Sequence, residues 1–186
     1  MKLTDPEKLM LIMLTEIHEH LKITNGVDAK FVQSAIYRDN TWGLSWKFPG
    51  IFQGGGAPDP PTVGEVVDIL DMWSAIETSY QRLSAEDQER IKVEAHPYGD
   101  GRFDGFDGNN ETEHLGIARF LIDDLGRFTN FKGRELNSHL PLSLEGYRRM
   151  LAVFLPLRPS LGPDDLTAGQ IIQLLRERLH PSRRVD

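Results

Sequence analysis

Cysteine is absent from this 186-residue chain, which rules out disulfide bonds, a thiolate nucleophile and thiolate metal ligands. Long apolar runs are missing too. No stretch nears the roughly 20 apolar residues that a membrane-crossing helix needs, and the run 9–14 is soon followed by Glu16, His18 and Glu19. The opening Met-Lys-Leu-Thr-Asp-Pro-Glu lacks the pattern of a signal peptide, so the expected address is cytoplasmic. Basic charge is in deficit: 21 Lys and Arg stand against 28 Asp and Glu, a net charge of −7. Such a balance repels phosphate backbones and anionic lipid, so neither nucleic acid nor membrane is an expected partner. Reactive motifs are equally scarce. Ser45 and Ser143 have no nucleophile-elbow context, and no Ser-His-Asp arrangement can be inferred. Gly54-Gly55-Gly56 and Gly99-x-Gly101 neither precede a Gly-Lys-Ser/Thr nor follow a clear strand, so they read as loop and turn.

What the chain does contain is helix grammar. Thr4-x-x-Glu7, with Pro6 in the first turn, reads as a capping box opening a helix to about residue 21. Leu9, Met10, Met13, Ile17 and Leu21 are expected inward, and Asn25-Gly26 breaks the helix. Asp28 can cap a second helix carrying Phe31, Val32, Ala35 and Ile36. Trp42, Leu44, Trp46 and Phe48 alternate, which predicts a short extended segment over 42–48. Residues 49–61, rich in Gly and Pro, read as a loop insertion. Thr62-x-x-Glu65 reads as a second capping box, opening a helix of ~22 residues and about 33 Å with Val66, Ile69, Leu70, Trp73, Ile76, Tyr80 and Leu83 on one side. Ser84 restarts a short charged helix, and Ser143 can cap another that uses Tyr147, Met150, Leu151 and Phe154 before Pro156 and Pro159. Thr167-x-x-Gln170 is a third box, with Leu166 and Ile171 placed for a hydrophobic staple and Leu174, Leu175 and Leu179 continuing the stripe.

The most informative segment is 111–131, read as one long helix. Leu115, Ala118, Ile122, Leu125 and Phe128 recur at three- and four-residue steps, and Phe120 and Leu121 widen the apolar face. Gly116 and Gly126 interrupt it, each at about 1 kcal/mol relative to alanine. They imply close approach by another element, or a helix end near Gly126. The fold class that follows is all-α: one domain over 1–186, a multi-helix bundle of about seven helices with one short extended segment, and a tail at 181–186 that frays.

Several stretches resemble the YfbU family. They are the first helix over 4–21; Val66-Val-Asp-Ile-Leu-Asp-Met-Trp73 and its continuation to Leu83; Gly105-Phe-Asp107, Thr112-Glu-His-Leu-Gly116, Arg119-Phe120 and Gly126-Arg-Phe-Thr-Asn-Phe131; Tyr147-x-Arg149-Met-Leu151; and Leu166-Thr-Ala-Gly-Gln-Ile-Ile172. The resemblance implies a cytoplasmic, mainly helical bacterial protein that oligomerises. It implies no reaction and carries over no catalytic residue.

Candidate sites therefore rest on the residues themselves. Glu111-x-x-His114 and Glu177-x-x-His180 each place a carboxylate and an imidazole on one helical face, and two such pairs, with Glu16, Glu19, Glu65 or Glu77, are the makings of a di-metal carboxylate centre. Against it, Glu111 lies in a first turn and His180 in a last turn, where helix-dipole interactions explain both, so no metal or cofactor is favoured. Asp100, Asp104, Asp107, Asn109 and Glu111 form an acidic loop without EF-hand order, and Asp107, Asn109 and Asn110 suit N-capping better. Phe103 and Phe106 would anchor that loop to the core. Arg119, Asp123 and Arg127 at i, i+4 and i+8 form a ladder that is a solvated face or an interface. Trp42, Trp46, Phe48 and Phe52 are an aromatic cluster, core or partner groove. Arg176, Arg178, Arg183 and Arg184 are the one basic concentration, read as a helix-end and solubilising tail. The function expected is a non-enzymatic protein-protein interaction or regulatory module, binding itself or another protein through Trp42, Trp46, Phe48, Phe52, Arg119 and Arg127. The alternative is a metal-dependent enzyme built on Glu111, His114, Glu177 and His180.

Overall fold

The computed structural model describes residues 2–52, 58–139, 143–161 and 166–183. Among them are eight α-helices and no strand: α1 (Asp5–His20), α2 (Ala29–Tyr37), α3 (Trp42–Lys47), α4 (Pro61–Arg82), α5 (Ala85–Glu94), α6 (Thr112–Arg119), α7 (Ser143–Leu157) and α8 (Ala168–Glu177). The glycine tract 54–56, Arg184 and the end of the tail lie outside the described residues.

The long helix α4 is the axis. Val63, Val66, Ile69, Leu70, Met72, Trp73 and Ile76 are all buried along it, and α6, α7 and α8 pack against it. Trp73 sits among Phe103, Phe106, Phe131 and Tyr147, whose ring centroids lie within 6 Å of a neighbour in this set. Such edge-to-face contacts add about 0.5–1.5 kcal/mol each beyond burial. Phe103 and Phe106 thus anchor the 100–110 loop as expected. A β-bridge, Phe106 to Asn137, ties that loop to 136–138. On the far side, α8 packs against α5 and α7.

Local capping signals place most helix starts. Asp28 accepts from the Phe31 N–H at 3.1 Å, and Ser84 accepts from the Asp87 N–H at 3.1 Å. Thr167 and Gln170 close a reciprocal box. Glu7 reaches back to the Thr4 N–H at 2.7 Å. Thr62 does not cap: α4 begins at Pro61, with Pro60 as its N-cap, two residues before a cap at Thr62 would start it. Proline already has the φ a first helical position needs, so the helix starts there, and Glu65 is left for tertiary contacts.

Residues 42–48 are a correction. They are not extended; α3 is a helix. Trp42 and Trp46 stack edge-to-face at 5.1 Å, four residues apart on one helical face, and a Cβ at Gly43 would fall 2.4 Å from the Phe120 ring. Alternation over so few residues fits either period, and tight seating on Phe120 selects the helix.

The 111–131 segment is also divided. α6 passes into a π-helical turn at Phe120–Asp124, where the Leu125 N–H reaches the Phe120 carbonyl at 2.9 Å. Phe120, Leu121 and Ile122 are consecutive and all buried. A regular α-helix with one apolar stripe cannot bury three neighbours equally, and the wider turn turns all three inward. Gly126, at φ +65°, ends the helix, as one of the two sequence readings had it. Phe128 lies beyond, with Thr129–Phe131 as a short 3-10 turn. Close approach at Gly116 does not occur, because a Cβ there would meet nothing within 4 Å. Gly116→Ala is therefore expected to stabilise the protein by about 0.5–1 kcal/mol, read as a higher denaturant midpoint; a loss of stability would contradict this placement.

Candidate interaction surface

The first helix departs most from expectation. Its packed side is Leu11, Ile12 and Thr15, lying on α2 with Leu3. The Thr15 hydroxyl accepts from the Gln33 amide at 2.9 Å, and the Lys8 ammonium approaches Asp39 at 3.4 Å. Leu9, Met10, Met13, Ile17 and Leu21, expected inward, face solvent, together with Leu14. These six side chains are between 53% and 63% exposed. The reason is that α1 is apolar on two sides: successive 100° steps put Leu11, Ile12 and Thr15 opposite the row Met10, Met13, Ile17, Leu21. Periodicity shows that apolar faces exist, and tertiary contact decides which one is inside. Ile23 and Val27, also exposed, extend the apolar surface past the helix. The packed side leaves this second apolar face uncovered, and exposed apolar patches mark contact surfaces.

The aromatic and arginine candidates are distributed differently from the sequence reading. Trp42 is core, 3% exposed, with its indole N–H donating to Asn40. Trp46 donates to Asp59 at 2.8 Å, and the Arg127 guanidinium lies 4.9 Å over its ring. Phe48 packs edge-on against Phe31; Phe52 is partly exposed. Arg119 reaches Glu135 at 3.3 Å. The Arg119–Asp123–Arg127 ladder does not persist as helical spacing, since the π turn and Gly126 intervene.

The acidic and basic candidates are engaged in the framework. Glu111 is buried; its carboxylate accepts from the Asp107 N–H at 2.8 Å, the Ser143 hydroxyl at 2.5 Å and the Leu144 N–H at 2.7 Å. It thereby caps α7 from a distance. Asp107 organises the turn before α6, accepting from the Asn109 N–H and the Asn110 amide, rather than serving as the N-cap, which is Glu111. His114 bonds Glu65 at 2.9 Å, and Arg148 grips the same carboxylate at 2.7 and 3.1 Å. His180 bonds Ser182 beyond α8, and the Glu177 carbonyl accepts from Arg149. No group of three or more His, Asp or Glu that could hold a metal ion occurs among the described residues, so the two Glu-x-x-His pairs are not brought together there.

The arginine-rich end is not a tail at Arg178. Its side chain is 4% exposed, bonded to Asp104 at 2.6 Å, with its guanidinium 4.0 Å from the Tyr98 ring centroid and within 6 Å of those of Trp73 and Tyr147. Arg176 donates to the Glu94 carbonyl at 2.9 Å. Burial pushes the pKa of the Tyr147 hydroxyl well up, so it stays a donor, to the Gly105 carbonyl at 2.8 Å. Arg178 was hidden in the sequence because it falls in an arginine-rich stretch with the exposed Arg176; its i+4 spacing from Leu174 was the available signal.

The Arg148 hydrogen bond, with a smaller contribution from His114, holds the Glu65 carboxyl below its ordinary value of 4.5 against the opposing effect of burial. A depressed carboxylate adds stability that is present above its unfolded pKa and lost as pH falls through the folded one. Thermal melts of wild type and Glu65→Gln are therefore expected to differ most near neutrality and converge as pH drops below 4.5. A difference that persists at strongly acidic pH would contradict the ion-pair account.

No helix among the described residues is long and apolar enough to cross a membrane. A curated relative, a UPF0304 protein of the archaeon Methanocaldococcus jannaschii, is similar to this chain at 36% identity over 101 residues, covering 51% of the chain and 56% of the relative. The chain thus spans little more than half the length of that relative. The likeness reaches beyond the bacteria that the resemblance implied. The YfbU domain profile matches residues 1–175, taking in α1, the Glu65–His114 pair and the Glu111 hub, and the chain belongs to the YfbU family.

Proposed function

We propose that this protein is a cytoplasmic, non-enzymatic helical module that works by binding protein through the outward face of α1. The observation that carries the reading is the row Leu9, Met10, Met13, Leu14, Ile17 and Leu21, more than half exposed on a helix whose opposite face is already packed. Water contact over that row is unfavourable at roughly 25 cal/mol per Å², and only a second surface relieves it. The use of Glu111, Glu65 and Arg178 as internal ties supports the same reading, since each reactive group has a structural task. The metal-enzyme alternative gains nothing from the geometry: Glu111 has both carboxylate oxygens engaged with donors of the fold.

The test is uptake of an apolar fluorescent dye by dilute protein. Wild type is expected to bind it, and Met13→Glu/Ile17→Glu is expected to lose that binding with its helical circular dichroism intact. Equal dye binding by both proteins, or none by wild type at a concentration where it sediments as a monomer, would refute the reading.

A further inference from the structure

The occupant of this face can be specified, on the reading that the outward side of α1 is a protein-binding surface. We infer that it is a second copy of this chain, with α1 pairing antiparallel to its counterpart about a two-fold axis between Met13 and Leu14.

Self-complementarity is the first argument. An isologous interface needs a patch that matches itself after a half-turn. With the axis between Met13 and Leu14, Met10 stands opposite Ile17 of the other copy, Met13 opposite Leu14, and Pro6 opposite Leu21. Apolar therefore meets apolar along the centre of the row, with Leu9 opposite His18 at its flank. Charge gives the direction. The first turn of α1 carries Asp5 and Glu7, and its last turn carries His18 and His20, with Lys22 just beyond. The register sets Asp5 opposite Lys22 and Glu7 opposite His20 of the other copy, although Glu16 and Glu19 share that end. Parallel pairing would set Asp5 and Glu7 against themselves.

Area is the third argument. Six half-exposed aliphatic side chains present on the order of 600 Å² per copy, so pairing hides on the order of 1,200 Å², the lower bound of specific stable interfaces. Exposed Ile23 and Val27 add to it. Access is the fourth. α1 packs chiefly against α2, so a second helix can approach its outward side to the 8–10 Å at which helices pack. The two α1–α2 pairs then stack across the axis with the two α1 helices at the centre.

Because the chain has no cysteine, single introduced thiols report single positions. In the antiparallel register, positions 10 and 17 of different copies are neighbours, whereas two copies of position 10 are about 10 Å apart along the helix. A short bis-maleimide is expected to cross-link a mixture of the full-length Met10→Cys and Ile17→Cys proteins and to leave each alone largely uncoupled. Sedimentation of wild type is expected to give twice the 21.1 kDa chain mass, and Met13→Glu/Ile17→Glu is expected to weaken self-association at least about 100-fold with helicity retained. Cross-linking of Met10→Cys alone at a yield equal to or above that of the mixture would overturn the antiparallel arrangement. A dimer untouched by Met13→Glu/Ile17→Glu would overturn α1 as its interface. A wild-type monomer that takes up apolar dye, losing it in the double variant, would overturn the second copy while sparing the α1 docking surface. A wild-type monomer that takes up none would overturn both.

Discussion

Glu111→Ala is expected to lower the unfolding free energy by about 4 kcal/mol, seen as a lower denaturant midpoint at an unchanged m-value. Three donors lose their acceptor at once: the Asp107 N–H, the Ser143 hydroxyl and the Leu144 N–H. Each buried orphan costs about 1–3 kcal/mol, with the upper end reserved for groups that water cannot reach. The carboxylate also sits where the first turn of α7 directs its N–H groups, and a negative charge there is favourable by several tenths of a kcal/mol or more. Glu111→Gln keeps one acceptor but turns an NH2 toward donors, so about half of the loss is expected. Three segments meet at this one side chain: the 107 turn, the start of α6 and the start of α7. Loss of this tie is therefore expected to raise hydrogen exchange at residues 107 and 144 before the rest of the core. A loss under 1 kcal/mol would show that the hub is replaceable by water.

Arg178→Met is expected to cost about 3 kcal/mol. The change removes the partner of Asp104 and the cation held among Tyr98, Trp73 and Tyr147 while roughly keeping volume. The net worth of the arginine is reduced by its own desolvation, and its Nη1 has no hydrogen-bond partner among the described residues. Removing both charges is therefore expected to cost less than removing one. Arg178→Met/Asp104→Asn should recover 1 kcal/mol or more relative to Arg178→Met alone, in the double-mutant cycle that isolates the pair. Additive losses would mean that the box acts through packing only.

What the sequence could reveal follows the range of each interaction. Caps are local: Asp28, Ser84 and the Thr167–Gln170 box could be read because donor and acceptor lie within three residues. Thr62-x-x-Glu65 had the same letters, but Pro60 and Pro61 fixed the start first, and Glu65 turned to His114 and Arg148, 49 and 83 residues away. The stripe of α4 was legible because one apolar face implies one burial direction. For α1 the same logic failed: with apolar residues on two sides, the choice of inward face depends on α2. The π turn was foreshadowed only as a widened face at Phe120 and Leu121. Arg178 and Glu111 were invisible in their real roles because Arg178 bonds Asp104, 74 residues away, and Glu111 takes donors from α7, 32 and 33 residues away.

The central claim is that α1 presents an apolar face made to be covered by its own counterpart. Sedimentation equilibrium of the full chain over a wide concentration range tests it most directly. A dimer of twice 21.1 kDa that dissociates in Met13→Glu/Ile17→Glu, with helix content preserved, is the predicted result. A wild-type chain of 21.1 kDa at every concentration would contradict it.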